Sequence, residues 1–502
     1  MDITKLLSSI RPDPASQAPL YLQIANTIDS LIREAALSSG DKLPPERELA
    51  RLLGVSRTTA INAYSMLEER GLTTTRVGSG TYINDLSALK HPVNAMPWEQ
   101  IFTPQSKSPL SSLLRSLIAA PTAYNTISLA AGMPDPALYP RSVIEKLTAA
   151  VPPLDMVDLG YIPAEGYLPL RRSLAAWQQK LGQPVSPDNL LIVSGSQQGL
   201  YLSIKTMVEP RDYVIVESPT YLGAIQLLEA AGARILCLPD TPSLDFEVLE
   251  DYLVRYRPKL FYTIPTFQNP TGRVMPLKDR HELLRLAARH RLVIIEDDPY
   301  SHLYYEHQPP PPLKQLDTYG GVISLGTFSK ILIPGLRIGW VSASPQVINR
   351  LAQEKQYVDL HCNNLSQRIL HVCLEEDFLS PHLKQIRSEY KKRRDALAAS
   401  LRRYCGSQMS FDLPEGGFYL WCLLKPAFSS TELLRRAAAL GVSFVPGEAF
   451  YSNKYSVNKI RLSFSTHDEE VLTQGGKLLG RVFAASPEIS PPAGDAAGRP
   501  LL

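Results

Sequence analysis

Cysteine is scarce and carries no pattern: Cys237, Cys362, Cys373, Cys405 and Cys422 are the only five, scattered and free of any C-x-x-C spacing. This excludes a disulfide framework or a zinc site, so no metal is expected and the thiols should be reduced and mostly buried. Long apolar runs are absent as well. None approaches the roughly 20 residues that cross a bilayer, and the opening Met1 to Lys5 lacks the apolar core of a signal peptide. The expectation is a cytoplasmic chain with no membrane partner. Charge of one sign is also missing: a net charge of +3 over 502 residues is too small to argue for nucleic-acid binding, which has to come from local pattern. What the chain does have is length for about three folding units of ~150 residues and, at 44% apolar, ample material for their cores.

The first local pattern lies near the start. Leu20, Ile24, Ile28, Leu31 and Ile32 follow helical spacing and predict an amphipathic helix from Leu20 to Ala36. A break at Gly40 precedes a short helix carrying Leu49, Leu52 and Leu53, which Gly54 closes as a left-handed cap. Ser56 is suited to N-cap a third helix through Glu69, with Ala60, Ala63, Tyr64 and Leu67 inward and Gly71 at its end. Two helices across a tight turn make a helix-turn-helix, and β-branched residues around Gly78-Ser79-Gly80 read as a two-stranded wing. Arg57 and Thr58 then fall in the first turn of a recognition helix, facing base edges, while Arg47 and Arg76 can flank it on phosphates. Glu46, Glu48, Glu68 and Glu69 dilute the basic patch, so a three-helix unit without a nucleic-acid ligand also fits these residues.

From 85 to 126 the chain turns Pro- and Ser-rich and reads as a linker, with an apolar stretch Leu110 to Ala120 suited to dock as a helix. Beyond it, β-rich runs at 190–193, 213–216, 260–264, 292–295, 322–325 and 338–341 alternate with helical stretches. Such alternation predicts a mostly parallel sheet covered by helices on both faces, with ligands collecting at the carboxyl ends of the strands. After a helical stretch at 366–400, strands at 409–424 and 459–465 indicate a smaller C-terminal α+β lobe. The organisation is therefore multidomain: 1–84, a linker 85–126, an α/β domain 127–484 whose large lobe spans about 150–365, and a Pro-, Gly- and Ala-rich tail 485–502 expected to be disordered.

The polar clusters gather at those strand ends. Lys330 follows an apolar strand among Thr327, Ser329 and Arg337, which suits a Schiff-base lysine beside hydroxyls and a guanidinium able to hold a phosphate dianion. A solvated loop lysine fits that segment equally well. Ser194 to Gly199 follows a strand and opens a helix, aiming backbone amides and the Ser196 hydroxyl at an anion. Asp297 ends another strand, where a carboxylate facing a pyridine nitrogen would keep it protonated, although acidic strand ends are ordinarily caps or surface residues. Asn269 and Tyr300 can reach a ring hydroxyl, and Tyr221 offers an aromatic face. Arg461 can bind a carboxylate or serve in a structural ion pair.

Residues 19–83 resemble the winged helix-turn-helix of GntR-type transcription regulators. The resemblance rests on Leu43, Pro44, Arg47, Glu48, Leu49 and Ala50, on Val55 to Thr59, and on the Arg76 to Tyr82 wing, where Ser56, Gly78 and Gly80 join Arg47, Arg57, Thr58 and Arg76 as implied DNA-contacting positions. Thr122 to about Ala484 resembles the fold-type I pyridoxal 5′-phosphate-dependent aminotransferases. That resemblance implies Lys330 as the cofactor-bound lysine and Asp297 on the ring nitrogen, with Asn269 and Tyr300 on the ring hydroxyl and Tyr221 stacked on the ring. It implies Ser196, Gln197, Thr327, Ser329 and Arg337 on the phosphate, Tyr161 reaching a neighbouring subunit's phosphate, and Arg461 with Gly132 at the substrate or effector. The combination resembles the MocR branch of GntR regulators, which implies a head-to-tail homodimer that binds operator DNA and senses an amino compound through Lys330. A working aminotransferase carrying a DNA-binding arm, or a sensor of pyridoxal phosphate itself, is consistent with the same residues.

Overall fold

The computed structural model describes residues 3–7, 10, 12–13, 19–33, 36–76, 80–84, 101, 126–140, 145, 160–426, 428–452 and 458–485. The linker from 85 to 125 except Ile101, with the stretch expected to dock as a helix, the tip residue Gly78 and the tail beyond Ala485 lie outside them. Internal contacts divide the chain into two units, Met1–Thr103 and Pro104–Leu502.

The first unit is built on helices α1 (Ile3–Leu7), α2 (Leu20–Arg33), α3 (Glu46–Leu53) and α4 (Arg57–Glu69), followed by strands β1 (Thr73–Arg76) and β2 (Gly80–Ile83). Ile24, Ile28, Leu49, Ala60, Ala63 and Leu67 form its core, as their helical spacing requires. Gly54 ends α3 at φ 66°, with its N–H on the Ala50 carbonyl, so the chain turns sharply where a β-carbon would be strained. Ser56 Oγ accepts from Thr59 N at 3.1 Å and starts α4. The wing is an antiparallel pair registered Thr74 to Tyr82. Glu68, one of the residues that dilute the basic patch, helps to hold the wing in place. Its carboxylate accepts from both Thr75 N and Thr75 Oγ1 at 3.2 Å, tying β1 to α4.

In the second unit a seven-stranded sheet is ordered β4-β10-β9-β8-β7-β5-β6. Its strands are β4 (Leu190–Val193), β5 (Tyr213–Val216), β6 (Arg234–Cys237), β7 (Leu260–Thr263), β8 (Val293–Asp298), β9 (Val322–Thr327) and β10 (Gly339–Ser342); β3 (Ile127–Ser128) precedes them outside this sheet. All neighbours are parallel except β10, which is antiparallel to both β4 and β9. Since β4 and β9 both oppose β10, they run the same way, and the loops that follow β4, β5, β7, β8 and β9 open on one edge. The four-residue runs of β4 and β7 are buried throughout, as a sheet covered on both faces demands. β6, Arg-Ile-Leu-Cys at the sheet edge, has no counterpart among the expected strands; it is half-exposed and short, which leaves a weak pattern.

The smaller lobe carries β11 (Met409–Phe411), β12 (Tyr419–Leu424), β14 (Val445–Pro446) and β15 (Lys459–Ser463) in the order β11-β12-β15-β14, and β13 (Val442–Ser443) pairs in parallel with β3. The segment after β3 thereby enters from the small lobe: Ile127 N donates to the Gly441 carbonyl at 2.8 Å. The expected single helical stretch at 366–400 is two helices, Asn364–Glu375 and Leu379–Cys405, separated where Asp377 adopts φ 49°. Among the described residues no helix is long and apolar enough to cross a membrane, and no cluster of His, Cys, Asp or Glu could hold a metal.

Candidate cofactor and effector site

The loops at the common strand edge converge. After β9, Ser329 N donates to Thr327 Oγ1 at 3.1 Å, shaping the turn that presents Lys330. Lys330 Nζ donates to the Gly132 carbonyl at 2.7 Å. Burial lowers its pKa from the usual lysine range; the Arg461 and Arg337 guanidiniums push the same way, against Tyr419 and Asp297. An amine kept closer to neutral is a better nucleophile at ordinary pH.

Asp297, near the end of β8, is 5% exposed. Tyr262 on β7 donates to its Oδ2 at 2.8 Å, while Oδ1 is buried and has no partner among the described residues. Burial raises the Asp297 pKa to about 7, the neighbouring Asp298 adds to this, and the Tyr262 hydrogen bond and Lys330 pull it back. An unpartnered buried carboxylate oxygen is costly and demands a donor or a cation.

Beside the end of β4 and the start of β10 an anion cradle is assembled. Ser196 begins α6 (Ser196–Met207; α5 is Leu168–Lys180), and Gly195 before it has φ 81°. Arg337, itself at φ 53°, donates from Nη2 to the Ser194 carbonyl at 3.0 Å. A β-carbon on Gly195 would come within 2.8 Å of that nitrogen, so only glycine lets the guanidinium lie beside the helix N-terminus. Ser329 Oγ is buried without a partner among the described residues.

Several expected site residues are engaged with one another. Tyr221 donates from its hydroxyl to Gln197 Oε1 at 3.1 Å. Asn269 Oδ1 accepts from Arg461 Nη1 at 2.8 Å, and Arg461 Nη2 donates to the Ala130 carbonyl at 2.7 Å, leaving Nε buried without a partner among the described residues. Tyr300 meets Tyr419, hydroxyl to hydroxyl, at 3.1 Å. Tyr161 is not gathered in: it is 85% exposed and lies edge-on to His361.

Two residues join the site without any signal in the sequence motifs. Tyr419, at the start of β12, packs under the Arg461 guanidinium with 4.2 Å to the ring centre. Its hydroxyl would stand 1.8 Å from a β-carbon on Gly132, so the two approach as closely as glycine allows. Tyr262 is the other. Both act through partners distant in sequence, and only strand membership marked them.

In the first unit, Arg47, Ser56, Arg57 and Thr58 are all exposed. On α4 the exposed face continues through Ile61, Asn62 and Ser65, positions that helical periodicity alone could have added. Arg76 closes β1 and Gly80 opens β2 at φ 119°.

A lysine after a strand, a buried aspartate on the adjacent strand and a glycine-arginine anion cradle on a seven-stranded sheet define a fold-type I pyridoxal-phosphate protein, joined here to a winged helix-turn-helix. Residues 136–476 match aminotransferase class I and II, and residues 20–83 match bacterial regulatory proteins of the gntR family. Aromatic-amino-acid aminotransferase 1 of Thermococcus litoralis is 37% identical over 77% of this chain and 95% of its own. The uncharacterized HTH-type transcriptional regulator YisV of Bacillus subtilis is 32% identical over 91% of this chain and 95% of its own. The crystal structure of LysN, the α-aminoadipate aminotransferase of Thermus thermophilus, complexed with N-(5′-phosphopyridoxyl)-L-leucine, is similar with a TM-score of 0.72 and 36% identity, covering 78% of this chain and 98% of that one. The chain belongs to the aminotransferase class I and II family, with a gntR-family helix-turn-helix at its N-terminus.

Proposed function

We propose that this protein is a transcription regulator whose N-terminal unit binds operator DNA and whose aminotransferase-like unit holds pyridoxal 5′-phosphate and senses an amino compound. The observation that carries this reading is the presence of both complete equipments on one chain: a capped recognition helix exposing Arg57 and Thr58, and a lysine site with its aspartate and anion cradle. The regulator YisV, similar over both parts, supports it.

The residues fit the cofactor on chemical grounds, because the polar atoms without partners are of the kinds it needs. Asp297 Oδ1 would hold the ring nitrogen, Ser329 Oγ, Ser196, Gln197, Thr327 and Arg337 would hold the phosphate, and Lys330 would meet the aldehyde. Asn269 and Tyr300 serve the ring hydroxyl and Tyr221 the ring face. When bound, the group supplies an aldehyde that condenses with primary amines and an electron-withdrawing ring.

Arg461 holds the carboxylate of an amino-acid effector, with its unused Nε available. Lys330 Nζ donates to the Gly132 carbonyl at 2.7 Å, so this carbonyl would hold the lysine amine whenever an effector took its place at the cofactor. Gly132 lies in a segment that the small lobe holds at several points: Arg461 bonds the Ala130 carbonyl, Thr466 Oγ1 the Ala131 carbonyl and Ser465 Oγ the Met133 carbonyl. Lysine release is thereby linked to lobe position. A coupling of about 1 to 3 kcal/mol between effector and operator would change DNA affinity roughly 5- to 150-fold. Exposed Tyr161, Tyr357, Val358 and Leu360 support a head-to-tail homodimer in which Tyr161 completes the partner's phosphate site.

A working aminotransferase is the second reading, favoured by the intact Lys330, Asp297 and Arg461 set, in which Lys330 Nζ also moves the proton at the substrate carbon. One experiment separates the two: footprinting of DNA upstream of the gene, with and without pyridoxal phosphate and a panel of amines. Amine-dependent protection supports the regulator. No protection, together with sustained conversion of amino acids and keto acids, overturns it in favour of the enzyme.

A further inference from the structure

Helix α4 holds one side chain in water that gains nothing from it. Ala60, Ala63, Tyr64 and Leu67 are buried in the core of the first unit. The opposite face carries Arg57, Thr58, Ile61, Asn62 and Ser65, all exposed. Four of these five are polar. Ile61 is the exception: it is 40% exposed, and it is the one exposed large apolar side chain among the described residues of α1 to α4 and the wing. It lies one turn beyond Arg57 and one turn before Ser65, so the three share a stripe. A single exposed isoleucine on an ordinary surface carries little weight. This one stands between the arginine and the serine of the face offered to DNA.

Charge decides which part of α4 approaches a duplex. The first turn has Arg57 and no carboxylate, whereas the last turn ends in Glu68 and Glu69. Phosphates repel that acidic end, and Glu68 is already committed to Thr75 N and Oγ1 on the wing. The half that enters the major groove is therefore Arg57 to Asn62, which puts Ile61 inside the contact rather than at its rim.

We propose that Ile61 is a specificity-determining residue that packs on the C5 methyl group of a thymine in the operator. This rests on the reading of the first unit as a DNA-binding one. Isoleucine has neither donor nor acceptor, and of the groups that base pairs present in the major groove only the thymine methyl is apolar. Against guanine O6 and N7, adenine N6 and N7 or cytosine N4, the side chain would strip water from a polar group and return no hydrogen bond. β-branching leaves Ile61 essentially one χ1 rotamer on a helix, so little side-chain freedom is lost on contact. The neighbours on this face suit other edges: Arg57 has the donor fork for guanine and Asn62 the amide for adenine. The thymine under Ile61 is read by shape and apolarity alone.

The test uses the full-length protein and a duplex that it selects from a random-sequence pool. Each thymine of that duplex is replaced in turn by deoxyuridine, which deletes the C5 methyl and keeps every hydrogen-bonding edge. For the wild type, at least one thymine should be methyl-sensitive, with about fourfold weaker binding on replacement, the effect of one buried methyl group. In Ile61→Ala that position should become insensitive, so that thymine and uracil duplexes bind equally, while Ile61→Val retains part of the difference. Ile61 is exposed, and neither substitution disfavours a helix, so α4 should persist in both variants. A selected duplex with no methyl-sensitive thymine, or with one as sensitive in Ile61→Ala as in the wild type, overturns the assignment and leaves DNA binding standing. Failure to select any duplex overturns the DNA-binding reading and the assignment together.

Discussion

Tyr262 donates its phenolic proton to Asp297 Oδ2 across 2.8 Å, from one parallel strand to the next, and leaves Oδ1 bare. The protein thus satisfies one half of a buried carboxylate and reserves the other. Burial with one oxygen unpartnered is unfavourable for the charged form, which is why the Asp297 pKa rises to about 7.

A pH dependence follows from that shift. Because the folded-state pKa lies above the unfolded value, the folded chain binds more protons between about pH 4 and 7, so this group's contribution is fully present at low pH and lost as pH rises through 7. In the cofactor-free protein, Asp297→Asn removes the titration and keeps an acceptor for Tyr262. Its stability relative to wild type should therefore improve from pH 5 to pH 8, by about 3 kcal/mol if the whole shift is expressed. Denaturant titrations at the two pH values measure it, and a pH-independent difference would contradict the burial of Asp297.

Lys330→Ala should abolish the absorbance of the lysine-bound cofactor and any effector response, while basal operator binding remains measurable by mobility shift. Normal effector-dependent transcription in this variant would refute sensing at Lys330.

Arg57→Ala should weaken specific operator binding by about 1 to 3 kcal/mol without altering the cofactor spectrum, since the residue is exposed in the first turn of α4. Ser56→Ala removes the hydrogen bond to Thr59 N and should cost about 1 kcal/mol of stability in the N-terminal unit. An unchanged footprint in the first variant would displace α4 as the recognition helix.

Gly132→Ala places a carbon 1.8 Å from the Tyr419 hydroxyl, which cannot be accommodated without moving β12 or the Lys330 acceptor. Overpacking of this kind costs about 1 to 3 kcal/mol. The expected outcome is at least tenfold weaker cofactor retention in equilibrium dialysis, recovered in part by Tyr419→Ala, which removes the hydroxyl and the ring carbons at 2.5 and 2.7 Å that clash with it. Full retention in the single variant would show that the approach of these two residues is not needed.

Much of this architecture is legible in local pattern. Ser56 and Gly54 bound helices because a hydroxyl cap and a left-handed glycine act within a few residues, and buried four-residue runs such as Leu190–Val193 mark strands by composition alone. Lys330, Asp297 and Ser196 could be picked out because strand ends are where polar residues interrupt apolar runs. The direction of β10 was not legible: apolar patterning identifies a strand but not its orientation, which depends on the route of the chain between β9 and β10.

The sequence by itself determined the helix caps, the strand interiors and the kinds of groups at the site, since those depend on neighbours a few positions away. Tertiary structure alone decided the partnerships. Tyr262 meets Asp297 across 35 positions, Tyr300 meets Tyr419 across 119, and Lys330 meets Gly132 across 198. Which oxygen of Asp297 stays bare, and which carbonyl accepts from Lys330 Nζ, are settled only when the strands pair and the small lobe closes on the segment after β3, because these hydrogen bonds join residues that no local periodicity relates.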